Sequence, residues 1–498
     1  MRRVYSVITN ASWGLLVALL PITSLPLLSR VMGGTDVAPV SALFLAILVV
    51  IWLIPAILRG KTLPLQTVPL LVFFCLALIS SSLAFFLPLP NFKNVPLLAN
   101  ELPNILTLGL GICFYLAISM WITDEGKLHA FFRIVNISGA AMLAYCLVQF
   151  VFVIVLGRVP GVMMGVQNLL VASETTFYGR LNGLAFEPSW LAHQLNMFYI
   201  PIWLGLTIKK ISFHKLRIFK ISLENILLAV AFFVLIFSKS RIGWLGSLGY
   251  LTFLFLRLMN TVRQRLFHRH SSTEAQGLHK RNPLFDLAFW LGLMILLAGV
   301  VLAAGWALTK IDPKRMADLF DLQTLQQLGF LAWASRIQLA ERIVYWMAGF
   351  SIFLMYPIFG VGLGNAGYLI PRVMNNFGFK LPEVLRIYLS NAFLPNAKNL
   401  WTRLLAETGI AGFAVFISWM WVGWKTARET EQSESRIAKA VGIIGQIAII
   451  SLIFEGFSLD TFALPYYWMI LGLVVAANRL FVSRPITDAV EIQEASPA

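Results

Sequence analysis

The tightest constraint on this chain is a succession of apolar runs, each as long as a helix that crosses a bilayer. They lie at approximately 13–29, 38–58, 66–87, 102–123, 132–157, 189–208, 223–240, 242–260, 284–308, 402–424, 440–457 and 462–480. About 20 apolar residues span the hydrocarbon core, and within it only a helix or a closed barrel satisfies its own backbone. Helical apolar stretches of this length therefore predict an all-α polytopic membrane protein with about twelve spans. Charged residues are 12% of the chain and hydrophobic ones 58%, whereas a soluble domain carries about 25% charged residues. The first run contains Pro21 and Pro26 and lacks a small-residue cleavage site, so it reads as a retained span and not as a signal peptide.

Basic residues sort to alternate ends of the runs. One side holds Arg2, Arg3, Arg59, Lys61, Lys127 and Arg133, then the groups at Lys209–Lys220 and Arg257–Arg281, then Lys425–Lys439, Arg479 and Arg484. The short loops of the other side hold little more than Lys93 and Arg241. Positive charge stays cytoplasmic, so both termini are placed there and the span count is even. The net charge of +16 is largely this bias. The run Ile343 to Phe359 would make a thirteenth span, and it is read instead as an amphipathic or re-entrant helix against the outer face. Residues 1–308 then carry spans one to nine, with an outer loop near 158–188. Residues 309–401 form a long extracytoplasmic loop, 402–484 carry spans ten to twelve, and 485–498 are a cytoplasmic tail. The long loop is basic, and long outer loops are exempt from the charge rule, so its charge points to an anionic ligand or to lipid headgroups. Cys75, Cys113 and Cys146 all sit inside apolar runs, with neither metal-site nor disulfide spacing.

Polar chemistry gathers at the outer ends. Glu187 before Pro188 marks a helix start, where proline is tolerated and a carboxylate suits the positive helix end. Arg180 precedes it, and His193 follows about a turn and a half further in. His193 reads either as hydrogen-bonded core or as a site residue. Ser238-Lys239-Ser240-Arg241 leaves room only for a tight outer turn bearing Arg241, which either serves an anion or snorkels to lipid phosphates. Gly360-Val361-Gly362-Leu363-Gly364 permits close backbone approach, and its amides are candidates for facing an anion. Arg403 and Glu407, four apart, are placed to pair on one helix. Three arginines, Arg180, Arg241 and Arg336, come from three outer segments, and guanidinium forks bind a diphosphate bidentately. No acidic cluster with Mg²⁺-ligand spacing accompanies them, so no metal and no cofactor is expected.

The outer Ser-Arg turn, the helix opened by Ser335-Arg336, the segment Pro357 to Asn365, and Asn399-Leu400 leading to Leu404-Leu405-Ala406-Glu407-Thr408-Gly409 occur in that order. In order and spacing they resemble the bacterial O-antigen ligase/O-antigen polymerase superfamily, over roughly 170–420 by motif and the whole chain by topology. The resemblance implies a glycosyltransferase of the GT-C type, with a long helical loop between spans nine and ten. It moves a glycan from a polyprenyl-diphosphate carrier to an acceptor hydroxyl at the periplasmic face of the inner membrane. It also implies that Arg241 and Arg336, with Arg180 as partner, bind the diphosphate. Ligases of the family carry His-Asn just before the tenth span, the histidine being taken as the base. This chain has Lys398-Asn399, which favours a polymerase or an acceptor other than lipid A.

The expected reaction is inverting, with Glu187 or Lys398 receiving the acceptor's proton. His193, Asn399 and Glu407 are further candidates. The expected partners are the lipid-linked glycan donor, a glycan or lipid acceptor and membrane lipids, with no nucleic acid. The rival reading is a transporter or flippase of lipid-linked oligosaccharides. That reading calls for broken helices at mid-membrane and repeated halves, and the polar residues instead collect at one face.

Overall fold

The computed structural model describes residues 2–31, 37–173, 177–271, 283–311, 313, 318, 321–337, 339–390 and 394–482. The expected tail at 485–498 lies outside them. The chain divides into two compact units: Met1–Gly246, Tyr345–Met374 and Ile387–Ala498 form the first, and Ser247–Val344 with Asn375–Arg386 the second.

In chain order the helices are α1 (Arg2–Ala18), α2 (Pro26–Val31), α3 (Val40–Leu58), α4 (Leu65–Ala84), α5 (Leu97–Trp121), α6 (Glu125–Val155) and α7 (Gly161–Leu170). Next comes α8 (188–208), whose middle turn Leu195–Tyr199 is π-helical, followed by α9 (Leu223–Phe237), α10 (Arg241–Ser271) and α11 (Pro283–Ile311). The short helices α12 (Leu322–Leu328), α13 (Phe330–Arg336), α14 (Ala340–Met355), α15 (Ala366–Val373) and α16 (Pro382–Leu389) precede α17 (Leu400–Gln432), α18 (Arg436–Glu455) and α19 (Tyr466–Phe481). Strands β1 (Arg217–Ile218) and β2 (Ile221–Ser222) form an antiparallel hairpin, with Arg217 opposite Ser222. Among the described residues, seven helices are long and apolar enough to cross a membrane: α3 to α6, the Arg241–Gln264 part of α10, α17 and α18. The chain is an all-α, multi-pass membrane protein.

The first unit is built around α18 and α19. From Tyr466 to Asn478 every residue of α19 is buried, as expected of a helix apolar on all sides. It packs on α5, α17 and α18. Gly111 of α5 accommodates the Trp468 ring, and a Cβ at Gly472 would lie 2.6 Å from the Tyr115 carbonyl, so small residues set how closely these helices cross. Tyr467, Trp468, Trp419 and Phe416 pack ring against ring at tilted angles, with successive centroids 4.6, 5.0 and 5.4 Å apart. The rim of the unit is apolar too. In α3, Val50 is 67% and Leu58 81% exposed, which suits a face turned to lipid.

Within the first unit two sequence expectations need correction. The run 13–29 is not one helix: α1 ends at Ala18, and α2 begins only at Pro26. Pro21 and Pro26 cannot donate to a helical ladder, and the chain between them turns to bond 38–40 instead. There Leu25 N donates to Ala38 O at 2.9 Å and Val40 N to Ile22 O at 3.3 Å.

The second correction concerns the glycine run. Its amides are already taken: Val361 N donates to Ala406 O at 3.0 Å, Gly362 N to Glu407 O at 2.9 Å, and Leu363 N to Ser81 Oγ at 3.1 Å. The carbonyls of Pro357 and Ile358 accept from Ile410 and Ala411 at 2.8 and 3.2 Å. Residues 357–362 thus fill a break in α17 at Gly409, whose φ is 63° and ψ −167°. A Cβ at Gly409 would collide with the Ile358 carbonyl, and one at Gly360 would lie 2.5 Å from the Glu407 carbonyl carbon. The glycines serve a backbone splice and not an anion cradle.

Candidate functional site

Between the end of α9 at Phe237 and the start of α10 at Arg241 only three residues remain, so the turn is as tight as its sequence requires. Ser238 Oγ donates to Leu235 O at 2.7 Å and accepts from Ser240 N at 3.3 Å, and both serines are buried. Lys239 takes a left-handed φ of 50°, uncommon for a residue other than glycine. The segment 177–187 lies against this turn. Leu181 N donates to Phe237 O at 3.1 Å, Arg180 Nε to Ser238 O at 3.1 Å, and Arg180 Nη2 to Lys239 O at 3.5 Å. Arg180 therefore rests on the turn that carries Arg241. Its segment is anchored by Gln149, whose Oε1 accepts from Gly183 N at 2.8 Å, and by Thr23 Oγ1, which accepts from Phe186 N at 2.9 Å.

Pro188 takes the first position of α8, as expected, and Glu187 precedes it in extended conformation. The Glu187 carboxylate does not cap the helix; it accepts from Ser189 Oγ. Further along, His193 is 2% exposed, and its Nδ1 lies 2.6 Å from Glu455 Oε2. Asn196 Nδ2 donates to the other oxygen of Glu455 at 2.5 Å and to Gly243 O at 2.7 Å. Glu455, the last residue of α18, escaped the sequence reading. A lone carboxylate closing the apolar run 440–457 was the only signal available.

Asn399 caps α17, its Oδ1 accepting from Trp401 N at 2.8 Å and Thr402 N at 3.2 Å. Lys398 before it has φ 50°, and its Nζ lies 5.2 Å from the Tyr345 ring centroid. This turn is tied to the end of α18: Leu400 N donates to Gly456 O at 2.8 Å, and Trp401 Nε1 to Ile453 O at 3.1 Å. Arg403 and Glu407 pair at 2.9 Å and are both buried. Arg403 also donates to Asn104 Oδ1 at 2.6 Å and to the Asp460 carbonyl, and it lies over Phe462. Glu407 is thereby committed to an ion pair.

Arg336 belongs to the second unit, where Ser335 and Arg336 close α13 instead of opening a helix as their sequence suggested. There its guanidinium donates to Asp321 Oδ2 and Thr324 Oγ1, both at 2.8 Å. Hydrogen bonds from Thr324, with the Arg336 charge beside them, hold the Asp321 carboxyl below its usual range. Of the eight candidates, the first unit contains Arg180, Glu187, His193, Arg241, Lys398, Asn399 and Glu407.

Residues 226–417 match the family model described as O-antigen ligase. No curated protein matches the chain. The matched segment holds Arg241, Arg336, Lys398, Asn399, Arg403 and Glu407, while Arg180, Glu187, His193 and Glu455 lie outside it. Carried by a multi-pass helical chain, this match supports the O-antigen ligase and polymerase superfamily for the protein and, at that level, a membrane enzyme of glycan transfer.

Proposed function

We propose that the protein moves a glycan from a polyprenyl-diphosphate carrier to an acceptor hydroxyl, as a polysaccharide polymerase or O-antigen ligase of the bacterial inner membrane. In this reading twelve spans leave both termini in the cytoplasm and the site on the periplasmic face. The observation that carries it is the meeting of Arg180 with the Arg241 turn, close to the start of the segment that matches the ligase family.

The acceptor oxygen attacks the anomeric carbon from the face opposite the diphosphate. The bond from that carbon to the diphosphate oxygen breaks with its electron pair, and the configuration inverts. Arg180 and Arg241 stabilise the departing charge without a metal, each as a fork that stays protonated; Arg336 is proposed as a further diphosphate ligand on the family resemblance alone. Glu187 or Lys398 receives the acceptor's proton. The lysine that replaces the ligase histidine favours chain extension or an acceptor other than lipid A.

The test is incubation of purified protein with a polyprenyl-diphosphate oligosaccharide, with and without candidate acceptors. Lengthened glycan marks a polymerase, and glycan moved to a new acceptor marks a ligase. Unchanged donor under both conditions overturns the proposal.

A further inference from the structure

His193, Asn196 and Glu455 are 2%, 0% and 0% exposed, and all three stand among apolar membrane helices. Hydrogen bonds between polar side chains help to hold membrane helices together, but only modestly, and that role does not call for an ionisable carboxyl. Ionisable groups inside a membrane bundle are rare, and where found they mark function.

Glu455 receives one partner on each oxygen, His193 on Oε2 and Asn196 on Oε1, so its carboxylate plane is fixed. Asn196 divides its amide between Glu455 and the carbonyl of Gly243, two residues beyond Arg241 in the first turn of α10. One turn on, a Cβ at Gly246 would lie 2.6 Å from Glu455 Oε1, so α10 approaches as near as bare backbone allows. The residue after Glu455 is Gly456, whose carbonyl holds Leu400 N, two positions beyond Lys398. His193 ties the same carboxylate to α8, the helix that Glu187 and Pro188 open. The end of α18 thus meets the three segments bearing Arg241, Lys398 and Glu187: the Glu455 carboxylate holds His193 and Asn196 of α8, Asn196 passes the contact to Gly243 of α10, and the Gly456 carbonyl holds the Lys398 turn.

We infer that the His193–Asn196–Glu455 cluster is the positioning element of the transfer site, acting through the Arg241 turn. The inference rests on the reading of Arg241 as a diphosphate ligand. A guanidinium fork has to meet two phosphate oxygens at once, and a misplacement of about 1 Å at a reacting site costs on the order of a hundredfold in rate. Acting through Arg241 in this way, the three are positioning residues and not catalytic ones.

The test uses the full-length protein in lipid nanodiscs with a polyprenyl-diphosphate oligosaccharide. It compares Glu455→Gln in the wild-type background and in Arg241→Lys, which retains charge but lacks the fork. Glu455→Gln should remain monodisperse, lose about tenfold or more in kcat in the wild-type background, and cost no more than about twofold further in Arg241→Lys, because coupled residues are not additive. If Glu455→Gln does not accumulate as folded protein, Asn196→Ala carries the same comparison, since it removes the Gly243 link and leaves the His193–Glu455 contact in place. Equal losses in the two backgrounds, or wild-type kcat in a folded variant, overturn the inference. An inactive wild-type enzyme condemns the proposed function instead, so the two failures are distinguishable.

Discussion

The N–H of Leu400 donates to the carbonyl of Gly456 at 2.8 Å, so the turn that holds Lys398 hangs from the helix end closed by Glu455. Two residues that alternate as candidates for the acceptor's proton, Lys398 here and Glu187 at the start of α8, thereby belong to one bonded framework. Mutagenesis separates them. If Glu187 is the base, Glu187→Gln should lower kcat by about a hundredfold or more with donor KM within about threefold, since general base catalysis is worth that much. Lys398→Ala should then raise donor KM more than it lowers kcat. If Lys398 is the base, Lys398→His should keep measurable activity and move the rising limb of the pH–rate profile downward, because free histidine titrates about four units below lysine. Near-normal kcat in Glu187→Gln excludes the first assignment.

The arginines provide a second prediction. Arg241→Ala and Arg336→Ala should each abolish transfer with little loss of folded protein, and lysine at either position should restore only part of the rate. Full turnover with lysine at both positions would show that a point charge suffices and that no bidentate contact is made. Arg180 already donates to two carbonyls of the turn, so Arg180→Ala should also loosen Ser238 and Lys239. The readout for that loosening is faster hydrogen exchange over 238–241.

The membrane map is open to direct labelling. In a chain with Cys75, Cys113 and Cys146 replaced, cysteine at Asn91 or Gln323 should react with an impermeant thiol reagent from outside. Cysteine at Glu434, in the turn between α17 and α18, should react only after the cells are permeabilised. Gln276, in the expected cytoplasmic segment 261–283, lies outside the described residues and offers a second inner position. Reaction of Glu434→Cys from outside would invert the map.

The splice in α17 makes a stability prediction. Gly409→Ala forces a Cβ into the Ile358 carbonyl at a left-handed backbone position, so a loss of about 3 kcal/mol or more is expected. Ser80→Ala should cost about 1–3 kcal/mol, because its buried hydroxyl shares its one proton between Phe359 O and Glu407 O and accepts from Gly362 N. Gly165→Ala, with open space around it in α7, should be neutral or slightly stabilising. Thermal unfolding in detergent compares the three.

The helices were legible because apolar runs of span length leave the backbone little choice. The exceptions have local causes: at Pro21 and Pro26 composition continued where the ladder did not, and at Gly409 one left-handed glycine opened a helix that hydropathy read as unbroken. The Arg403–Glu407 pair followed from i,i+4 spacing alone. The polar cluster was half legible. His193 stood out as an ionisable group on a membrane helix, but its partner is 262 residues away, and no spacing rule links them. The glycine run was half legible: its close backbone approach followed from the sequence, but its composition suits an anion and a neighbouring backbone equally well. Only the carbonyls facing Val361 and Gly362 distinguish the two.

The splice at Gly409 also bears on how the chain is made. Residues 357–362 leave the ribosome some fifty positions before the 406–411 segment that accepts and donates their backbone hydrogen bonds. Until α17 is delivered, the Pro357 and Ile358 carbonyls and the Val361 amide lack the partners they have in the finished fold, whereas the Gly362 amide can already reach Ser80 Oγ. A chain released at 399 would keep them in that condition permanently. A chain truncated at 399 should therefore be cut by an added protease more readily over 357–362 than the full-length protein, where α17 covers that backbone.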